Sequence, residues 1–138
     1  NLAASSFASA IIREPLNGVA CDCPVDADTG IWLLSPRRVV DALIHAHELP
    51  AEAWGTRRVV NLPGITVSVN QVLDALARAA GSQVAARIAW KPDARIRAIV
   101  KTWPVSFSTP RALAMGFKAD ADIETIIRDY IADEGIRI

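Results

Sequence analysis

Apolar and polar positions in this chain change period repeatedly, and the changes mark its elements. Ala4, Phe7, Ala8, Ile11 and Ile12 recur at helical spacing, which predicts a helix over residues 3–13, ended by Pro15 and the Asn17-Gly18 turn. Residues 19–23 read as a short strand, and 31–34 as a brief buried strand that runs into a helix over 36–48. Ser35 is placed to cap that helix, with Pro36 at the first helical position, where a missing N–H costs nothing. The helix carries Val39, Val40, Leu43, Ile44 and His47 on one side, and Leu49-Pro50 closes it. The most regular stretch is 68–80: Ser68 and Gln71 form a capping box, and Val69, Val72, Leu73, Leu76, Ala77 and Ala80 make one stripe that stops at Gly81.

Between these helices, residues 58–62 read as a strand stopped by Pro63-Gly64. Residues 85–90 read as another, with Arg87 and Ala89 opposite Ile88 and Trp90. Helices are expected over 93–102 and, after the Thr109-Pro110 start, to Met115, with Gly116 as the stop. Asp122 is placed to cap a last helix through Ile123, Ile126, Ile127, Tyr130 and Ile131. No internal repeat or low-complexity linker interrupts the series, so residues 1–138 form one unit. Interleaved strands and helices give an α/β or α+β class, with strands too few and too short for a self-sufficient open sheet. Residues 59–62 are apolar on both faces except at Asn61, as in a strand covered on two sides. They predict an unpaired edge with an apolar surface beside it.

Composition narrows the function. Of 138 residues, 51% are apolar, as in a folded globular domain. Lys+Arg and Asp+Glu are equal at 15 each, which argues against nucleic acid or an anionic membrane as partner. Apolar runs fall far short of the roughly 20 residues that span a bilayer, and no targeting segment is visible; a cytoplasmic location is the default. The first residue is Asn1 rather than Met, so a processed or truncated chain is expected. Cys21 and Cys23 are too close for a disulfide framework. His45 and His47 point about 200° apart on a helix and cannot chelate one ion, so no metal site is expected, and His47 reads as a satisfied histidine near a helix end.

Three segments in order carry a resemblance: Ile31-Trp32-Leu33-Leu34-Ser35-Pro36-Arg37-Arg38, then Arg58-Val59-Val60-Asn61-Leu62-Pro63-Gly64, then Ser68-Val69-Asn70-Gln71. The tail adds Ser108 to Leu113, followed by Met115-Gly116-Phe117-Lys118-Ala119. This order resembles the C-terminal part of an extended short-chain dehydrogenase/reductase, the NAD-dependent epimerase/dehydratase family. Ala3 to Ser9, Ile11 to Leu16 and Trp32 to Arg37 look most like a branch that oxidises a small sugar acid. Nucleotide-sugar epimerases more often show Arg-Asp-Tyr-x-His-Val-Asp-Asp where this chain has Ile31 to Arg38.

The resemblance implies an α/β fold that is the C-terminal substrate-binding portion of an extended Rossmann-type reductase, with the nucleotide-binding half absent. It implies a parent enzyme that uses NAD, bound mainly by that missing N-terminal region, on a small-molecule sugar acid, with room for a homo-oligomer. A nucleotide-sugar epimerase or dehydratase region and a free-standing non-catalytic α/β binding module are the alternatives. The glycines at 18, 30, 55, 64, 81, 116 and 135 have no Gly-x-Gly-x-x-Gly spacing, and Tyr130 is followed four residues on by Glu134 rather than Lys. This chain alone is therefore expected to be inactive, with no catalytic or cofactor-binding residues of its own.

Asn1, Ser5, Ser6 and Arg37 are the candidate substrate-binding residues. In the resembling enzymes the opening segment borders the substrate, and Asn1, Ser5 and Ser6 could hydrogen-bond hydroxyls or a carboxylate beside a helix N-terminus. Small polar residues that simply start a helix explain the serines equally well. Arg37 and Arg38 lie in a first helical turn, where the macrodipole disfavours cations. Either arginine could grip an anionic ligand or an acidic partner, a carboxylate in bidentate fashion, with Arg37 the candidate for the substrate; a surface salt bridge of this pair to Asp26, Asp28 or Asp41 is the competing explanation. Trp32, Trp54, Trp90 and Trp103 read as core or contact residues.

Overall fold

The computed structural model describes residues 3–138. Eight helices and four strands follow one another among the described residues: α1 Ser6–Leu16, β1 Cys21–Cys23, β2 Gly30–Leu33, α2 Pro36–Glu48, α3 Ala51–Trp54, β3 Ile65–Ser68, α4 Val69–Ala80, α5 Ser82–Ala85, β4 Ile88–Trp90, α6 Ala94–Val100, α7 Pro110–Ala114 and α8 Ile123–Asp133. The strands form two separate pairs. β1 and β4 are parallel, with Cys21 beside Ile88 and Cys23 beside Trp90. β2 and β3 are antiparallel, with Gly30 beside Ser68 and Leu33 beside Ile65.

Capping chemistry sets the helix starts. Ser68 accepts from the Gln71 N–H while the Gln71 side chain accepts from the Ser68 N–H, so both halves of the capping box form. Ser35 Oγ accepts from the Arg38 N–H, Asp93 from Ile96 and Asp122 from Thr125. Thr109 departs from expectation: Pro110 does start α7, but the Thr109 side chain makes no capping hydrogen bond. Helix α1 also runs past Pro15 to Leu16, because both residues are buried and the Arg87 guanidinium donates to the Pro15 carbonyl at 2.9 Å. Pro15 lacks the N–H that would bond back within the last turn, and the helix ends one residue later at Leu16.

One core joins α1, α4 and α8 over the strands, built on Ile11, Val69, Val72, Leu76 and Ile127, all fully buried. A second, smaller cluster packs Ala42 of α2 against Ala112 and Phe117, with Ala46, Leu49, Val60 and Leu62 at its margin. The expected strand over 58–62 is not formed. Val60 and Leu62 turn toward the small cluster while Val59 is 81% exposed, so the side chains alternate as in a strand, but no neighbouring backbone supplies a ladder. Pairing begins only at Ile65, after Gly64. A Cβ at Gly64 would lie 2.6 Å from the Leu33 carbonyl oxygen and 2.8 Å from the Trp32 ring, so this crossing requires glycine.

The α2 stripe faces outward. Val39, Val40, Leu43 and Ile44 are all exposed, and Ala42 is the buried residue of this helix. His47 lies on the exposed side, contrary to its reading as the satisfied histidine. The inward histidine is His45, whose Nε2 lies 2.8 Å from the Met115 carbonyl and whose ring meets Phe117 edge-on at 4.9 Å.

Candidate functional site

A cleft of about 410 Å³ opens between α1, the β2–α2 junction and α8. Ser5, Ser9 and Arg13 lie along its α1 wall, Leu34 and Ser35 along the junction, and Ile126 and Tyr130 along α8. The walls are mainly apolar, with Ser5 and Ser9 exposed along the opening and Ser35 buried, the usual composition of a small-molecule cleft. Serines at 5 and 9 reach the same wall because helical residues four apart lie one above the other.

The structure brings some of the predicted site residues together and separates others. Ser5 is the N-cap of α1, makes no capping hydrogen bond with its side chain and lines the cleft. Ser6 donates from Oγ to the Ala3 carbonyl at 2.7 Å, an interaction that stiffens the start of the helix. Asn1 lies outside the described residues. Arg37 lines a smaller adjoining cleft of about 90 Å³ that shares Ser35, Pro36, Ile126 and Tyr130 with the first. Its guanidinium donates to Asp133 through Nε at 2.9 Å and Nη2 at 2.6 Å, and to Asp129 through Nη1 at 2.5 Å. Neither carboxylate is among Asp26, Asp28 and Asp41. Arg38 is the residue that pairs with Asp41, at 3.2 Å, and Asp26 takes Arg97, at 2.6 Å. The Asp133 hydrogen bond raises the Arg37 pKa, and the Arg37 hydrogen bond lowers that of Asp133.

Sequence reasoning missed Asp120. It is 6% exposed and reaches 85 positions back along the chain to Ser35, itself 2% exposed. One carboxylate oxygen accepts the Ser35 N–H at 2.8 Å, and the other accepts the Ser35 hydroxyl at 2.7 Å. Asp120 sits in a loop two residues before a capping aspartate, so nothing local distinguishes it from Asp122.

The two thiols are buried, and burial pushes both Cys21 and Cys23 above the ordinary thiol pKa, which keeps them protonated and unreactive. Among the described residues, no group of three or more His, Cys, Asp and Glu could hold a metal ion. No described helix is long and apolar enough to cross a membrane.

Comparison with known proteins places this geometry. The chain is 53% identical over 136 residues to the D-erythronate dehydrogenase of Cupriavidus necator and 40% identical over 131 residues to that of Haemophilus influenzae, covering 99% and 95% of this chain. It superposes with a TM-score of 0.94, at 37% identity, on the nucleoside-diphosphate-sugar epimerase structure from Agrobacterium tumefaciens, covering 99% of this chain and 40% of that one. These matches agree with the resemblance to extended short-chain dehydrogenases/reductases that the motif order carries. The chain spans about 42% of the length of each curated dehydrogenase it matches. No family model matches. The solved epimerase chain extends well beyond the part superposed, whereas the described residues here hold two separate two-stranded sheets beside a real core.

Proposed function

We propose that this chain is the C-terminal, substrate-side region of an NAD-dependent oxidoreductase that acts on a CH–OH group of a small sugar acid such as D-erythronate. The outward apolar stripe of α2, beside the unladdered residues 59–62, carries the reading. A helix with four exposed large apolar residues costs solubility unless something covers it, and the extended segment 59–62, whose Val59 carbonyl is taken by Arg111, has no strand ladder of its own. A nucleotide-binding region supplied by the rest of the enzyme meets both needs. That region would hold NAD and contribute the proton-transfer groups, neither of which this chain has the residues to supply.

The substrate would meet this chain at the cleft beside α1. Ser5 offers a hydroxyl at the rim, Ser6 fixes the start of the helix, and Asn1 precedes both. Arg37 is the remaining candidate. A substrate carboxylate would have to displace Asp129 or Asp133 from its guanidinium, so it carries the smallest share of the proposal.

Identity to two D-erythronate dehydrogenases favours a sugar acid, whereas the solved epimerase at 37% identity favours a nucleotide sugar as the second reading. Steady-state assay of the full-length enzyme decides between them. NAD reduction with D-erythronate is the expected result. Turnover of a nucleotide sugar with none of D-erythronate would overturn the substrate assignment, and micromolar NAD affinity of the 138-residue chain by calorimetry would overturn the division of labour.

A further inference from the structure

We infer that Asp120 is a positioning residue for substrate, holding the β2–α2 junction to the loop that leads into α8; the inference rests on the proposed sugar-acid site. Both carboxylate oxygens are spent on one residue, Ser35, through its N–H and its hydroxyl. The hydroxyl in turn accepts the Arg38 N–H at 3.1 Å, so Ser35 links Asp120 directly to the first turn of α2. Among the described residues Asp120 has no ion-pair partner. A buried carboxylate without a cation is an expensive way to join two segments, and an apolar contact would join them at lower cost. What the carboxylate adds is direction: two acceptors fix both the position and the rotation of Ser35.

That fixed junction stands between two surfaces. On one side Leu34 and Ser35 wall the cleft that holds Ser5. On the other, α2 presents the stripe assigned to the rest of the enzyme. The loop that carries Asp120 is itself anchored at both ends: His45 lies against the Met115 carbonyl and Phe117, and Asp122 caps α8. Asp120 therefore ties the loop before α8 to the start of α2, and loss of the tie shifts Leu34 and Ser35 on the wall of the proposed substrate cleft.

The test is steady-state kinetics of full-length Asp120→Ala, Asp120→Asn and Ser35→Ala with D-erythronate and NAD, beside melting temperatures. Asp120→Ala should raise KM for D-erythronate about tenfold or more while KM for NAD stays within about twofold, since small misplacements at a site have effects of this order. Asn keeps one acceptor for the Ser35 N–H and should recover part of the loss. Combining Asp120→Ala with Ser35→Ala should add little to either alone. A lower melting temperature with both KM values unchanged, or both rising together, would make Asp120 merely structural. If Asp120→Ala does not fold, the Asn variant decides by the same KM split. Wild-type enzyme inert to D-erythronate would refute the sugar-acid reading, and the Asp120 assignment is then judged by the same split on the nucleotide sugar it accepts.

Discussion

Helices α2 and α4 have the same grammar: a serine cap, a clean start and an apolar stripe at helical spacing. Their fates are opposite. Leu76 of α4 is 0% exposed and the stripe around it forms the main core, while Leu43 of α2 is 66% exposed and its stripe lies on the surface of the described residues. Amphipathicity states that a face needs cover, and it says nothing about which polypeptide provides it. In α4 the cover comes from α1, α5 and α8, and in α2 the proposed cover is the rest of the enzyme.

The largest effect that separates the two helices is a pair of truncations. Leu76→Ala should cost about 2–5 kcal/mol in denaturant unfolding of the 138-residue chain and of the full-length enzyme alike. Leu43→Ala should stay within about 0.5 kcal/mol in the short chain, yet cost about 2 kcal/mol or more at full length if its stripe is covered there. Equal, negligible effects of Leu43→Ala in both would break the comparison.

The caps sharpen it at a smaller scale. Ser68→Ala removes an exposed capping hydroxyl and should cost about 1 kcal/mol. Ser35→Ala removes a cap and also strips a hydrogen bond from a buried carboxylate, so its cost should be larger by about 1–3 kcal/mol. Urea titration of the two variants ranks them, and a Ser35→Ala loss no greater than that of Ser68→Ala would contradict the buried pair.

The smallest effect is electrostatic and touches both helices, since Arg37 of α2 lowers the Asp133 pKa as well. Glu124 of α8 is held below the ordinary carboxylate pKa by hydrogen bonds from Arg128 and then from Arg78 of α4, and Asp122 is lowered by the Thr125 N–H. A pKa depressed on folding gives stability that is present above the unfolded value, about 4, and lost as pH falls through the folded one. Melting temperature should therefore fall on acidification below about pH 4, and Glu124→Gln should flatten that slope. The α2 stripe carries no carboxylate, so Leu43→Ala should leave the slope unchanged.

Local chemistry was legible where a residue answers to its near neighbours. Ser35-Pro36, Ser68 with Gln71 and Asp122 announce helix starts because the cap and the amide it serves lie three residues apart. The motif order that resembles the reductase family was legible too. The strand expected over 58–62 was not recoverable, because strand formation depends on a partner and the alternation of Val59 to Leu62 records only which sides are apolar. The Arg37 partners were misplaced among Asp26, Asp28 and Asp41 because Asp129 and Asp133 lie more than 90 positions away. Within the candidate site, Ser5 was visible as a polar helix start, whereas Tyr130 and Leu34 became its neighbours only by folding.

By itself, then, the sequence determined the longer helices, the caps of α2, α4 and α8 and the stripes they carry, because each depends on spacing along a few turns of backbone. The tertiary structure alone decided which stripe is core and which is surface, that Arg37 meets α8, and that Asp120 closes on Ser35. The last two outcomes join residues 85 or more positions apart, the first depends on which helices pack together, and no periodicity along the chain encodes such meetings.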